Sequence, residues 1–214
     1  MQDLSIKTTY LLASAGWDGT GTSTWTNVQI DNNGAYGWTE SACPVDPAAA
    51  PVHKWFSSTI KGNSKTYSAQ CSDNWFFGSR LIGGGAPDSS VVEGFGTGKF
   101  HIYGSNITAQ LPDGTSAGVI TSAGAGGVRA VNAGGTSEVH IHGTGIDLIG
   151  NGSVNTIAAL VSTGGTIHAN QAAYNLDGKG GPVARIMNFG GHIHAPVTDV
   201  ILGTVSCASQ KYGA

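Results

Sequence analysis

The sequence predicts an all-β chain wound as a parallel β-solenoid of about 26 residues per coil. Three observations carry this. The isoleucines of His140-Ile141-His142, Thr166-Ile167-His168 and His192-Ile193-His194 are separated by two successive steps of 26 residues, and the same step separates Phe76 from Ile102. A glycine pair precedes each of the three units: Gly134-Gly135, Gly164-Gly165 and Gly190-Gly191. The composition is rich in glycine, 34 of 214 residues, and poor in charge, 11% of residues, against roughly 25% in an average domain. Ser, Thr and Asn replace the charges, as suits short strands joined by tight turns. A helical repeat fits poorly, because no unit has apolar residues three and four apart over ten residues.

Residues 1–75 form an irregular, aromatic-rich N-terminal part that holds all five tryptophans, Trp17, Trp25, Trp38, Trp55 and Trp75. Val28-Gln29-Ile30 and Ser58-Thr59-Ile60 echo the later units, so the part reads as early atypical coils or as an aromatic cap. The tryptophans are expected mainly to pack the core, with a sugar-stacking platform as the other use.

Residues 76–202 form the regular coils. Each begins with a strand such as His140 to Ile149. An Asp-Gly or Asn-Gly turn follows, at Asp113-Gly114, Asn151-Gly152 and Asp177-Gly178. A second strand comes next, with Val128 to Asn132 matched to Ala158 to Ser162 and Ala184 to Asn188, and the glycine pair closes the coil. This places Arg129 and Arg185 at one repeat position. The step from Ile102 to Ile141 is 39 residues. Its excess is assigned to one residue before the Asp113-Gly114 turn, eight between Gly114 and Val128, and four from Thr136 to Val139. Residues 203–214 read as a tail or a truncated last coil, and an open end favours a homo-oligomer.

The net charge is −3 and the ten basic residues are scattered, which argues against nucleic acid as a partner. No apolar run is long enough for a membrane span. The Met1-Gln2-Asp3 start carries no signal peptide, yet a Ser/Thr/Gly-rich solenoid suits an extracellular, cell-surface or virion setting. Cys43, Cys71 and Cys207 fit no metal motif. Cys43 and Cys71 either form a disulfide in an oxidising compartment or remain buried thiols.

Strand alternation puts Ile102, Ile141, Ile167 and Ile193 in one inward column. Their neighbours face out as two columns, His101-His140-Thr166-His192 and Tyr103-His142-His168-His194. A second inward row begins at Ile107, Ile146, Ala172 and Thr198, continues at Ala109, Leu148, Tyr174 and Val200, and leaves Thr108, Asp147, Ala173 and Asp199 facing out. The candidate ligand-binding residues are therefore His140, His142, His168, His192, His194, Asp147 and Asp199. Imidazoles one coil apart suit a ring ladder better than a shared metal ion, and no cofactor is implied.

On coil length, stacked apolar positions and Gly/Asn/Asp turns, residues 76–202 resemble the right-handed parallel β-helix proteins of the pectin-lyase-like superfamily. The resemblance implies a right-handed winding and two functional classes. One is a structural or adhesive module that binds a polysaccharide or cell-surface glycan. The other is a polysaccharide lyase or glycoside hydrolase. The chain lacks the Asn-Thr-Asp, Asp-Asp, Gly-His-Gly and Arg-Ile-Lys motifs of the family's hydrolases. Asp147 and Asp199 are expected about 10 Å apart by coil spacing, at the long end for an inverting pair. The non-catalytic class is the expectation.

Overall fold

The computed structural model describes residues 3–8, 20–32, 36–40, 43–118, 120, 126–152, 157–179, 181, 183–196 and 200–202. Trp17, Thr198, Asp199, Cys207 and residues 203–214 lie outside them. The described residues form 21 strands in three sheets, and from Thr22–Thr26 onward every third strand joins the same sheet. All pairings are parallel, so the three sheets are arranged coil by coil, a parallel β-solenoid architecture. Sheet A comprises Thr22–Thr26, Val52–Phe56, Asp73–Phe77, Lys99–Tyr103, Glu138–His142, Thr166–Asn170 and His192–His194. Sheet B runs from Ser5–Thr8 through Asn106–Gln110 and Gly145–Ile149 to Val200–Leu202. Sheet C runs from Tyr36–Thr39 through Ser89–Gly94 and Val128–Ala133 to Val183–Asn188. The same three sheets thus include strands from residues 5–75 and from the regular coils.

Sheets A and B meet at a corner made by a single residue in the left-handed region. Asn27, Ser57, Gly78, Gly104, Gly143 and Gln171 occupy it, with φ of 57°, 48°, 56°, 53°, 54° and 55°. The next residue turns inward and is buried: Val28, Ser58, Ser79, Ser105, Thr144 and Ala172. Where that residue carries a hydroxyl, the hydroxyl satisfies backbone groups that the bend takes out of the ladder. Ser58 Oγ accepts from Val28 N at 3.1 Å, Ser79 Oγ from Ser58 N at 3.2 Å and Ser105 Oγ from Ser79 N at 3.0 Å. Thr144 Oγ1 donates to Ile102 O and His142 O at 3.2 and 3.0 Å. The expected single strand from His140 to Ile149 is therefore two strands in two sheets, bent at Gly143.

The register differs from the isoleucine alignment by two residues at one step. Ile141 pairs with Ala169, while Ile167 pairs with Val139 and with Ile193. A slip of two residues leaves every side chain on its own face, so alternation alone does not detect it. The corners decide it: Gly143 is followed by Gln171, whose side chain hides its left-handed backbone from a search for glycines. Measured on sheet A, successive coils take 30, 21, 26, 39, 28 and 26 residues. The second inward row shifts too, with Ile146 on Tyr174 and Leu148 on Leu176. In sheet C, Arg129 lines up through Ala158 with Ala184, so Arg185 stands one residue off the arginine position.

All the excess of the long coil lies between sheets B and C. Ala109 pairs with Gly83, and Val128 with Ser89, whereas Ala133 to Glu138 is as long as Gly94 to Lys99. No extra residues sit at Thr136 to Val139 relative to the preceding coil. Among the described residues after Gln110, Ile120 instead packs on the outer side of sheet C, against Ala158 and Val161. Asn151 Nδ2 on the next coil holds the turn after Gln110 by donating to Pro112 O and Thr115 O at 2.8 and 2.9 Å.

The core is aromatic in the early coils and aliphatic later. Trp25 and Trp55 stack at 5.1 Å, Trp38 meets Trp55 edge-on at 5.0 Å, and Tyr67 meets Phe76 edge-on at 4.9 Å. Trp25, Trp38 and Trp55 are thus core residues, whereas Trp75 faces out. Cys43 and Cys71 form a disulfide, which staples two coils where sheet C turns into sheet A. Beside it the buried Glu40 carboxylate accepts from the amides of Gln70, Cys71 and Ser72 at 2.9, 3.0 and 3.0 Å. Closing a loop of this size contributes about 3 kcal/mol in the chain-entropy view.

The corner yields a direct test. A Cβ at Gly143 meets no atom within 4 Å, so Gly143→Ala carries only the backbone cost of the left-handed region. The expected loss is about 1–2 kcal/mol in urea unfolding. An unchanged midpoint would show that the corner is not held in that conformation.

Candidate functional site

Sheet A presents an outer face of three columns, set by alternation along strands whose other side chains fill the core. The central column runs Lys54, Trp75, His101, His140, His168, His194. Toward the A–B corner runs Phe56, Phe77, Tyr103, His142, Asn170. On the other side runs Val52, Asp73, Lys99, Glu138, Thr166, His192. The expected columns therefore change partners: His140 stands on His168, not on Thr166, and His142 on Asn170, not on His168. All five candidate histidines keep the outward side assigned to them. The columns expected from the sequence stop short of Trp75 and Phe77, although both flank Phe76, which the 26-residue step aligns with Ile102.

The rings stack as a continuous ladder. In the central column the centroids are 3.9 Å apart for Trp75 and His101, 5.0 Å for His101 and His140, and 4.8 Å for the next two pairs. Their planes lie within 15° of parallel. In the corner column Phe56, Phe77, Tyr103 and His142 follow at 4.9, 5.4 and 4.9 Å. Such contacts are each worth about 0.5–1.5 kcal/mol beyond area burial for aromatic pairs. Parallel rings send their in-plane nitrogen lone pairs in parallel directions, so neighbouring imidazoles do not converge on one ion. Zinc–nitrogen bonds of about 2.0–2.1 Å would require that convergence. Among the described residues no group of three or more His, Cys, Asp and Glu is placed to hold a metal ion.

Apart from Lys54 at the start of the central column, the Asp, Glu and Lys side chains of this face stand in the third column. His101 Nε2 lies 3.3 Å from Asp73 Oδ1, His140 Nε2 3.8 Å from Glu138 Oε2, and Lys99 Nζ 3.8 Å from Glu138 Oε2. Burial raises the Asp73 carboxyl, but hydrogen bonding and charge from His101, with Trp75 and Lys99, outweigh it and hold the group below the usual range. Burial, then the neighbouring imidazoles His101 and His168, pushes His140 down against the pull of Glu138. Burial and His194 do the same to His168.

Asp147 does not join this face. It lies on the outer side of sheet B between Thr108 and Asn175, beyond the corner that divides the single strand expected from the sequence. Asn106 Nδ2 donates to its Oδ2 at 2.8 Å. Asp199 falls outside the described residues.

The remaining imidazole of interest points inward. His53 is fully buried, with Ser23 Oγ 2.6 Å from Nδ1 and the Trp38 ring edge-on at 5.4 Å. Burial lowers its pKa to about 4, against an upward pull from Glu40.

No family model, no curated protein and no solved structure matches this chain.

The buried histidine sets an acid limit. Its folded pKa lies below the unfolded value of 6.5, so the unfolded chain binds the proton more readily. Its stabilising contribution is complete above pH 6.5 and is lost as pH falls toward 4, a total on the order of 3 kcal/mol. His53→Asn places on this rung the residue that its neighbour Asn74 already carries on the next. The substitution should flatten the fall in unfolding free energy between those pH values. An identical pH slope in parent and variant would exclude His53 as the cause.

Proposed function

We propose that the chain is a non-catalytic structural or adhesive β-solenoid module that binds a glycan along the outer face of sheet A. The observation that carries this is the partly exposed ring strip of Phe56, Trp75, Phe77 and Tyr103, continuous from one coil to the next. A flat, rigid row of apolar rings with hydroxyl and N–H groups at its edges suits a pyranose chain, whose faces are apolar and whose rims are polar. Parallel strands repeat about every 4.8 Å, so an extended chain lying along the axis meets equivalent groups on successive coils.

The Cys43–Cys71 disulfide supports an oxidising location, hence an extracellular, cell-surface or virion setting. Right-handed winding and kinship with the pectin-lyase-like proteins belong to the same proposal, supported by the three all-parallel sheets. A homo-oligomeric assembly fits an adhesive role. The hydrolase form of the alternative requires a second carboxylate converging with Asp147 on one bond. The rung neighbours of Asp147 are Thr108 and Asn175, and its oxygen is engaged by Asn106.

A glycan array followed by titration of the best ligand tests the reading. Trp75→Ala and Tyr103→Ala are each expected to weaken binding about tenfold or more, in the range of an aromatic anchor, without changing thermal stability by more than a few degrees. Full-strength binding by the double variant, or glycan cleavage by the parent, would sink it.

A further inference from the structure

We propose that the imidazole half of sheet A is a proton-gated binding strip for an anionic glycan, carboxylated or sulfated. The inference rests on the glycan reading above and adds the ligand's charge and the condition for binding.

The argument is one of placement. The charged groups facing the central column are Lys54 at its start, Asp73, Lys99 and Glu138 beside it, with His192 further along that side and His142 on the other. At neutral pH the two lysines offset the two carboxylates, and the strip carries little net charge. Both carboxylates are spent on the earlier rungs, Asp73 against His101 and Glu138 against His140 and Lys99. Beyond them the rungs of His168 and His194 have Thr166 and His192 beside them; among the described residues the carboxylate acting on His168 is Glu138, one coil back. Among the described residues, acidification therefore adds positive charge that carboxylates balance mainly toward the aromatic end.

Stacking makes that charge cooperative with a ligand. Imidazoles 4.8 Å apart disfavour one another's protonation. In the free protein burial first, and then the neighbouring imidazoles, push the pKa values of His140 and His168 down against the pull of Glu138. An anion laid along the column relieves this repulsion, so it binds the protonated strip better and its binding draws protons in; the two effects are equal by linkage. The aromatic half supplies ring contacts to the same chain at the other end of the strip. A linear glycan with one anionic group per sugar matches both, because its charges recur at nearly the coil spacing.

The test uses isothermal titration of the full chain with a carboxylated, a sulfated and a neutral oligosaccharide of equal length, at pH 7.5 and pH 5.5. Parent and His168→Gln/His194→Gln are compared, the variant's far-UV spectrum at pH 7.5 confirming its fold. The expected result is about tenfold tighter binding of an anionic chain at the lower pH, proton uptake seen as a dependence on buffer ionisation enthalpy, and loss of the gain in the variant. The carboxylated and sulfated arms identify which anion is preferred. Binding of anionic chains that is independent of pH, or a gain that survives in the variant, would overturn the inference. So would an equal gain with an oligonucleotide of matched charge. If the neutral chain binds at both pH values while the anionic chains show no gain, the inference falls and the glycan reading stands. If no oligosaccharide binds in any arm, both fall.

Discussion

Each coil of this protein depends on one backbone conformation, the left-handed residue between sheets A and B. A strand cannot turn a corner in one residue with φ in the β region, and for an L-residue the left-handed well costs about 1–2 kcal/mol. Three of the six corners use glycine, and the others use Asn27, Ser57 and Gln171. The bend also removes backbone amides from the ladder. At the corners before Ser58, Ser79 and Ser105, hydroxyl groups on the following residue accept those amides inside the core. The corner conformation and its buried hydroxyl are thus one device, repeated along the axis.

Because the left-handed corner recurs at one place in the six coils where it is described, it sets the register of sheets A and B together, and the columns on both faces follow. Inward, Trp25, Trp55, Phe76, Ile102, Ile141 and Ala169 form one continuous row. Outward, the same register assembles the ring ladder from Trp75 to His194. The site is a by-product of the packing rule: residues that do not face the core must stand on their equivalents one coil away. Length variation is pushed elsewhere. The extra residues after Gln110 leave the corner untouched, and Ile120 among them is buried against sheet C.

The early coils differ in what they bury. Their core is filled by indole, phenol and phenyl rings, whose polar atoms need partners. Trp55 Nε1 donates to Tyr67 Oη at 3.2 Å, Tyr67 Oη to Asn74 Oδ1 at 2.7 Å, and Trp25 Nε1 to Ser23 Oγ at 2.8 Å. This internal network, together with Glu40 and the disulfide beside it, gives the first coils a cohesion that the later coils obtain mainly from Ile, Leu, Val and Ala. Burial of His53 within it ties that cohesion to pH.

Residue identities along the chain carry the all-β class, the coil-by-coil parallel arrangement and, for the described residues of the regular coils, which side chains face in or out. Alternation and the recurrent 26-residue step are written in residue identities, and Ile141, Ile167 and His140 all stand on the faces assigned from them. Which residue stands on which emerges from the folded coils. A two-residue slip preserves facing, so His140 over Thr166 and His140 over His168 satisfy the pattern equally, and the choice falls to a corner that Gln171 fills in place of a glycine. The corner likewise separated Asp147 from the histidines, since a single left-handed residue turns one apparent strand into strands of two sheets. The pairing of Cys43 with Cys71 was open for the same reason, because proximity across coils is a property of the register and not of spacing along the chain.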